Sequence, residues 1–199
     1  MQDGLDKVIF MKAFLIRQIR AYTPYNEQEA ADKALFLRFL ETCEDDLSRR
    51  ESPAAHLTAS AWVVSPDRKQ VLMAYHNLYN SWAWLGGHAD GNWNLLQVAE
   101  KEAREESGTE NLRSVTENIL SLEILTVSGH EKKGEYLSSH LHLNLTFLFE
   151  ADPGEPVRIK ADENSAVGWI PVSEIAEKST EPWFVERIYS KLVSKAAAL

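Results

Sequence analysis

The chain has 199 residues, 44% hydrophobic and 26% charged, with a formal charge of −9 from 30 acidic and 21 basic side chains. At about 150 residues per domain this is one domain with an extension, and the ordinary globular composition excludes wholesale disorder. The lone cysteine, Cys43, excludes an intrachain disulfide, no apolar run reaches transmembrane length, and the acid excess argues against nonspecific binding to nucleic acid or anionic membrane.

Asp3 and Asp6 stand where a secretory signal would be basic, so a cytoplasmic location is expected. Leu5, Val8, Met11, Leu15 and Ile19 repeat at helical period and predict a first helix. Tyr22 to Tyr25, with Pro24, reads as a turn. Phe36, Leu40, Cys43 and Leu47 predict the stripe of a second helix, in which Cys43 reads as a core position rather than a reactive thiol. Glu51-Ser52-Pro53 ends this helical hairpin, which sets a boundary between an N-terminal helical extension, residues 1–52, and a domain over 53–199.

Beyond the boundary the period changes to two. His56 to Val64 predicts a half-buried strand, Ser65-Pro66-Asp67 a turn and Gln70 to Tyr75 the returning arm. A Trp-rich segment, Trp82 to Trp84, leads to Gly86-Gly87. A helix is expected from Asn94, where Asn94 and Gln97 resemble a capping box, to Gly108. Strands are expected at Ile119–Val127 and His140–Phe149, joined by a polar loop over Ser128–Ser139. Short strands at Val157–Ile159 and Val167–Ile170 precede a final helix over Glu181–Ala197. The order is mixed α/β (α+β), with strands paired as hairpins around few helices.

Chemistry concentrates between Gly86 and Gly108. Glu102, Glu105 and Glu106 stand at i, i+3 and i+4, so one helix face carries three carboxylates within about 6 Å of rise. They repel one another unless positive charge sits between them, and a hard divalent cation such as Mg²⁺ or Mn²⁺ wants oxygen ligands of this kind. Taken alone, such a helix is more often a solvated acidic face balanced by residues such as Lys101 and Arg104.

The spacing of Gly87, Glu102, Ala103, Glu105, Glu106 and Gly108 resembles the Nudix box: Gly, five residues, Glu, seven residues, Arg-Glu-apolar-any-Glu-Glu-any-Gly-apolar. Trp93 stands where that pattern has Glu, Lys101 where it has Arg, and Thr109 where it has an apolar residue. The order of elements over residues 54–176 is also similar to that family. The resemblance implies an α/β/α sandwich with a mixed sheet, here preceded by the helical hairpin. It implies Mg²⁺ or Mn²⁺ held by Glu102, Glu105 and Glu106, with the Gly86 carbonyl in support. The implied activity is hydrolysis of a pyrophosphate bond in a nucleoside diphosphate linked to another group, with Glu105, Glu106 and Glu163 as catalytic candidates.

Glu163 resembles a loop glutamate that completes the metal site or acts as base in some members, and is equally a solvated turn residue. His140, His142 and Asn144 share one strand face and either line a pocket or are simply hydrogen-bonded. His88 and Tyr136 complete the candidate substrate contacts; Trp82 and Trp84 read as core rather than base-stacking residues. Trp93 and Lys101 leave a rival reading, a non-catalytic Nudix domain binding a nucleotide or related phosphorylated ligand. An isomerase-like member would need a cysteine in the core domain, and Cys43 lies outside it. The hairpin is expected to cover an edge, shape the pocket or mediate homodimerisation.

Overall fold

A computed structural model describes residues 2–132 and 134–199, with side chains described for 8–131 and 134–199. Two helices open the chain, α1 (Gln2–Ala21) and α2 (Glu27–Thr42). Then come β1 (Ala55–Val64), β2 (Gln70–His76), β3 (Ser81–Ala83), β4 (Leu85–His88) and helix α3 (Leu95–Ser107). Strands β5 (Arg113–Ser114), β6 (Ser121–Val127), β7 (His130–Lys132), β8 (Glu135–Leu137), β9 (His140–Glu150) and β10 (Asn164–Pro171) follow. The chain closes with α4 (Ile175–Lys178), α5 (Pro182–Phe184) and α6 (Ser190–Ala197), the last two joined by a π turn over Val185–Tyr189. The main strand order is β10-β2-β1-β9-β5, with β3 beside β2, β4 beside β1 and β6 beside β9; β7 and β8 pair separately. The expected mixed α+β class is what is seen.

The chain forms two compact units, Met1–Ala59 with His88–Val98 and Ser121–Leu145, and Ser60–Gly87 with Ala99–Leu120 and Thr146–Leu199. In the first, Leu15 and Ile19 of α1 and Phe36 and Leu40 of α2 are buried, as their spacing demands. Leu5, the first residue of the α1 stripe, lies outside the described side chains. The expected α2 stripe overran its helix. Cys43 is the extended C-cap and is half-buried, while Leu47 is fully buried in the turn that follows.

A buried polar chain fastens α2 to β6. Glu29, with no exposed surface, accepts from the Tyr22 hydroxyl (2.6 Å), the Tyr25 backbone N–H (2.7 Å) and the Ser121 hydroxyl (2.8 Å). Glu123, also fully buried, contacts Ser121 and accepts from Asn144 Nδ2 at 3.1 Å, and Asn144 Oδ1 accepts from Thr58 at 3.0 Å. Asp32 adds a bond from the Ile124 N–H at 3.2 Å. Burial and the Glu29 carboxylate push the Tyr22 phenol far up, so it stays a donor.

The second unit packs the C-terminal helical segment on β2, β10 and the end of β1. Trp62 and Tyr189 stack with centroids 5.7 Å apart, and Val71, Met73, Ile170, Ile188 and Leu192 surround them. Trp82 and Trp84 pack against this core, as expected.

Four expectations need correction. β1 is buried along its whole length rather than half-buried, because its polar positions are covered too; Thr58 finds its partner inside. Ser128–Ser139 contains the β7–β8 hairpin rather than being a plain loop. Val157–Ile159 is irregular rather than a strand, its Arg158 N–H bonding the Ser107 carbonyl at 2.8 Å. β3 and β4, in the Trp-rich stretch, were not foreseen as strands.

Removing the Glu29 carboxylate takes this acceptor from the Tyr22 hydroxyl and the Tyr25 N–H, while Ser121 keeps Glu123, and each lost bond to a buried donor costs about 1–3 kcal/mol. Chemical denaturation should therefore show Glu29→Ala losing roughly 3 kcal/mol or more, and a chain lacking residues 1–50 should aggregate. A truncated chain that stays soluble with an unchanged melting temperature would show that the helices are dispensable.

Candidate active site

Helix α3 begins where Asn94 Oδ1 accepts the Gln97 N–H at 3.3 Å and ends at Gly108, whose φ of +70° suits glycine. Leu95, Val98, Ala99 and Ala103 form its buried stripe. The same 3.6-residue period carries Glu102 and Glu106 onto that buried side, at 9% and 5% exposure. Glu105 falls to the side of it, its side chain 42% exposed.

Carboxylates on a buried stripe need partners. The Gly86 N–H donates to Glu106 Oε2 at 2.9 Å. Glu102 lies against Gly87 so closely that a Cβ there would fall 2.6–2.9 Å from its carboxyl end. The first glycine of the box is thus a matter of contact: any larger residue would push Glu102 off the strand.

Two ammonium groups sit among the acids. Lys101 Nζ bonds Glu102 Oε1 at 2.9 Å and Glu105 Oε2 at 3.1 Å. Lys160 Nζ lies 3.0 Å from Glu163 and 3.7 Å from Glu105, so Glu163 is brought to the helix carboxylates. The turn that carries it is fixed by Asn164, 1% exposed, whose Nδ2 donates to the Glu106 carbonyl at 3.1 Å and whose Oδ1 accepts the Lys160 N–H at 3.0 Å. Neither Lys160 nor Asn164 was singled out from sequence; the only signal was their adjacency to Glu163.

Two ammonium groups against four carboxylates leave excess negative charge. The strain falls on Glu106, raised from 4.5 to about 8 by burial first, and then by Glu102 and Glu163 against the opposing pull of the Gly86 N–H and Lys160. Lys101 is held protonated by its bond to Glu102 and then by Glu105. Burial pulls Lys160 down, but Glu163, Glu102 and Glu105 together raise it. An oxygen-only donor set, four carboxylates against two ammonium groups, fits Mg²⁺ or Mn²⁺.

Trp93, at the departing Glu position, is 7% exposed, and its indole Nε1 has no partner among the described residues. It is a core residue. Lys101, at the departing Arg position, bonds two of the three box glutamates directly.

The remaining candidates lie in the first unit. His88, His140 and His142 come together with His56, which sequence reading had placed only as the start of a strand. Tyr136 is 71% exposed on β8, its hydroxyl over Gly129, and no ring contact joins it to these histidines among the described residues. An open pocket of about 350 Å³ is lined by Arg49, Arg50, Glu51 and Asp90. Arg50 is forked onto Asp90 by two bonds of 2.7 Å and Arg49 pairs with Asp46 at 3.3 Å, so its positive charge is already answered.

A NUDIX domain family model matches residues 54–192. No curated protein sequence matches the chain. Among solved structures, the Nudix hydrolase RenU from M. smegmatis is similar with a TM-score of 0.52 and 16% identity, over 72% of this chain and 87% of that one. The E. coli dihydroneopterin triphosphate pyrophosphohydrolase matches with a TM-score of 0.48 and 14% identity, over 67% of this chain and 94% of its own. A C. elegans Ap4A hydrolase binary complex matches at 0.47 and 16%, over 71% and 95%. The family match takes in the box, the strand pair before it and the strands after it, and the chain belongs to the Nudix family.

Proposed function

We propose that this protein is a metal-dependent pyrophosphohydrolase acting on a nucleoside diphosphate linked to another group. The observation that carries the reading is the set of four carboxylates, Glu102, Glu105, Glu106 and Glu163, gathered around two lysines with charge left unbalanced. In this reading residues 53–199 are the catalytic domain and residues 1–52 an extension. No described helix is long and apolar enough to cross a membrane, which is compatible with a cytoplasmic enzyme.

Glu102, Glu105 and Glu106, with the Gly86 carbonyl, would hold Mg²⁺ or Mn²⁺. When bound, such an ion neutralises a pyrophosphate and lowers the pKa of water. The residues themselves divide by exposure. Glu102 and Glu106 are buried and oriented by Lys101 and the Gly86 N–H, which suits ligands. Glu105 and Glu163 remain solvent-accessible and share Lys160, which suits accepting a proton from an attacking water. Lys101 and Lys160 keep the acids at their spacing before an ion arrives.

The Trp93 and Lys101 departures alter support rather than ligands. Lys101→Arg should leave turnover within about tenfold of wild type, the scale of a supporting-group change. Trp93→Glu should instead cost about 3–5 kcal/mol of stability, as a large buried side chain is lost. A Trp93→Glu protein of full stability would show that the indole is not core.

A panel of nucleoside diphosphate derivatives, assayed with Mg²⁺ or Mn²⁺ and phosphatase coupling, tests the activity. Turnover should fall by about 100-fold or more in Glu105→Gln and Glu106→Gln with the fold retained by circular dichroism. An inert wild type across the panel, with inorganic phosphate never released, would favour a ligand-binding domain instead.

To serve as a ligand Glu106 would have to give up its proton. Mn²⁺ affinity should therefore rise by about tenfold per pH unit up to about 8, and Glu106→Gln should flatten that slope. The stability of the metal-free protein should run the other way. With the folded-state value raised, the contribution of Glu106 is full below about 4.5 and is lost as pH rises towards about 8. A metal affinity independent of pH over that window would remove Glu106 from the ligand set.

A further inference from the structure

The first unit holds a second cluster of chemistry-bearing side chains that the proposed reaction leaves unused. His56 on β1, His88 at the end of β4 and His142 on β9 each offer one ring nitrogen, and these atoms all lie within 4.8 Å of one another. The rings are in mutual contact, with centroids 5.1 Å (His56–His88), 4.9 Å (His56–His142) and 4.8 Å (His88–His142) apart. His140 flanks them, 4.8 Å from His56 and 5.2 Å from His142.

The hydrogen bonding of His56 sets the polarity of the group. Its Nδ1 lies 3.4 Å from the Ser52 carbonyl, which only accepts, so Nδ1 carries the hydrogen and Nε2 presents a lone pair. His56 is 4% exposed, and that Nε2 is buried with no hydrogen-bond partner among the described residues. The His142 Nε2 is buried and unpartnered in the same way. Two buried ring nitrogens without a hydrogen-bond partner among the described residues cost about 1–3 kcal/mol each.

Protonation does not relieve them. Burial first, and then the neighbouring His56, His140 and Arg50, hold His142 down at about 3, and burial also lowers His56. Neutral imidazole is the form that ligates metal. The carbonyl behind His56 is the kind of outer partner that fixes the ring of a metal-binding histidine.

We propose that His56, His88 and His142 form a binding site for a divalent transition metal of the Zn²⁺ class, chemically distinct from the carboxylate set. A nitrogen-only donor set suits Zn²⁺, Co²⁺, Ni²⁺ or Cu²⁺ and disfavours Mg²⁺, which wants oxygen. Tetrahedral Zn²⁺ with bonds of about 2.0–2.1 Å places its nitrogen ligands roughly 3.4 Å apart, so the three rings need only turn inward to close on it. Three histidines leave a fourth position for water or for His140.

The test uses the full chain stripped of metal by chelation. Titration with Zn²⁺ by calorimetry, and with Co²⁺ by visible absorption, should show one equivalent bound in the presence of excess Mg²⁺, with the intense bands of four-coordinate Co²⁺. Zn²⁺ should also raise the thermal midpoint. Binding should persist in Glu105→Gln/Glu106→Gln and weaken by about 100-fold or more in His88→Ala/His142→Ala. His88→Gln, a single change at a half-buried position, serves if the double variant does not fold, and should weaken binding by at least about tenfold. Absence of Zn²⁺ binding in the wild type, loss of it in the glutamate variant, or retention of full affinity in folded histidine variants would each overturn the site.

Discussion

Negative charge crowded onto the buried side of one helix is the constraint that organises the second unit. Glu102 and Glu106 occupy positions at which α3 would ordinarily place apolar residues, and a carboxylate there is costly unless held. Everything nearby answers that cost: the Gly86 N–H, the bare Cα of Gly87, the ammonium of Lys101, and Lys160 delivered on a turn that Asn164 pins to the helix end. Two ammonium groups still face four carboxylates, and Glu106 is raised to about 8, by burial first and then by Glu102 and Glu163. In the proposed reading a divalent cation would supply the opposing charge.

The departures from the family pattern take on a physical meaning in this light. Lys101 cannot fork a carboxylate as an arginine does, but its point charge reaches both Glu102 and Glu105. Trp93 has left the charged network altogether and joined the core of the first unit. One change keeps the electrostatic job with a different group; the other transfers a position from electrostatics to packing. The two proposed metal sites differ in the same elementary way, hard oxygen donors in one unit and imidazole nitrogen in the other.

Much of this was legible from local pattern. Helical period placed α1, α2 and α3, with Asn94 and Gly108 marking the limits of α3, and alternation placed β1, β2 and β9. Box spacing singled out the three glutamates that the fold gathers on α3. Local pattern failed where distant chain decides the outcome. The full burial of β1 depends on residues such as Asn144, far along the chain. Val157–Ile159 has strand-like residues, yet its backbone is captured by the end of α3 at Ser107. Cys43 and Leu47 continue a helical spacing past a helix that stops at Thr42. Lys160, Asn164 and His56 each reach a partner on a distant element, Glu105, the Glu106 carbonyl and His88, and no spacing announces those contacts.

Paramagnetic mapping locates the cation most directly. Substoichiometric Mn²⁺, added to the metal-free, isotope-labelled protein, broadens the amide resonances nearest to it. The account predicts that Gly86, Gly87, Glu102, Glu105, Glu106 and Glu163 broaden first and that excess Mg²⁺ restores them. Broadening centred on other residues, or none at concentrations that support turnover, would contradict it.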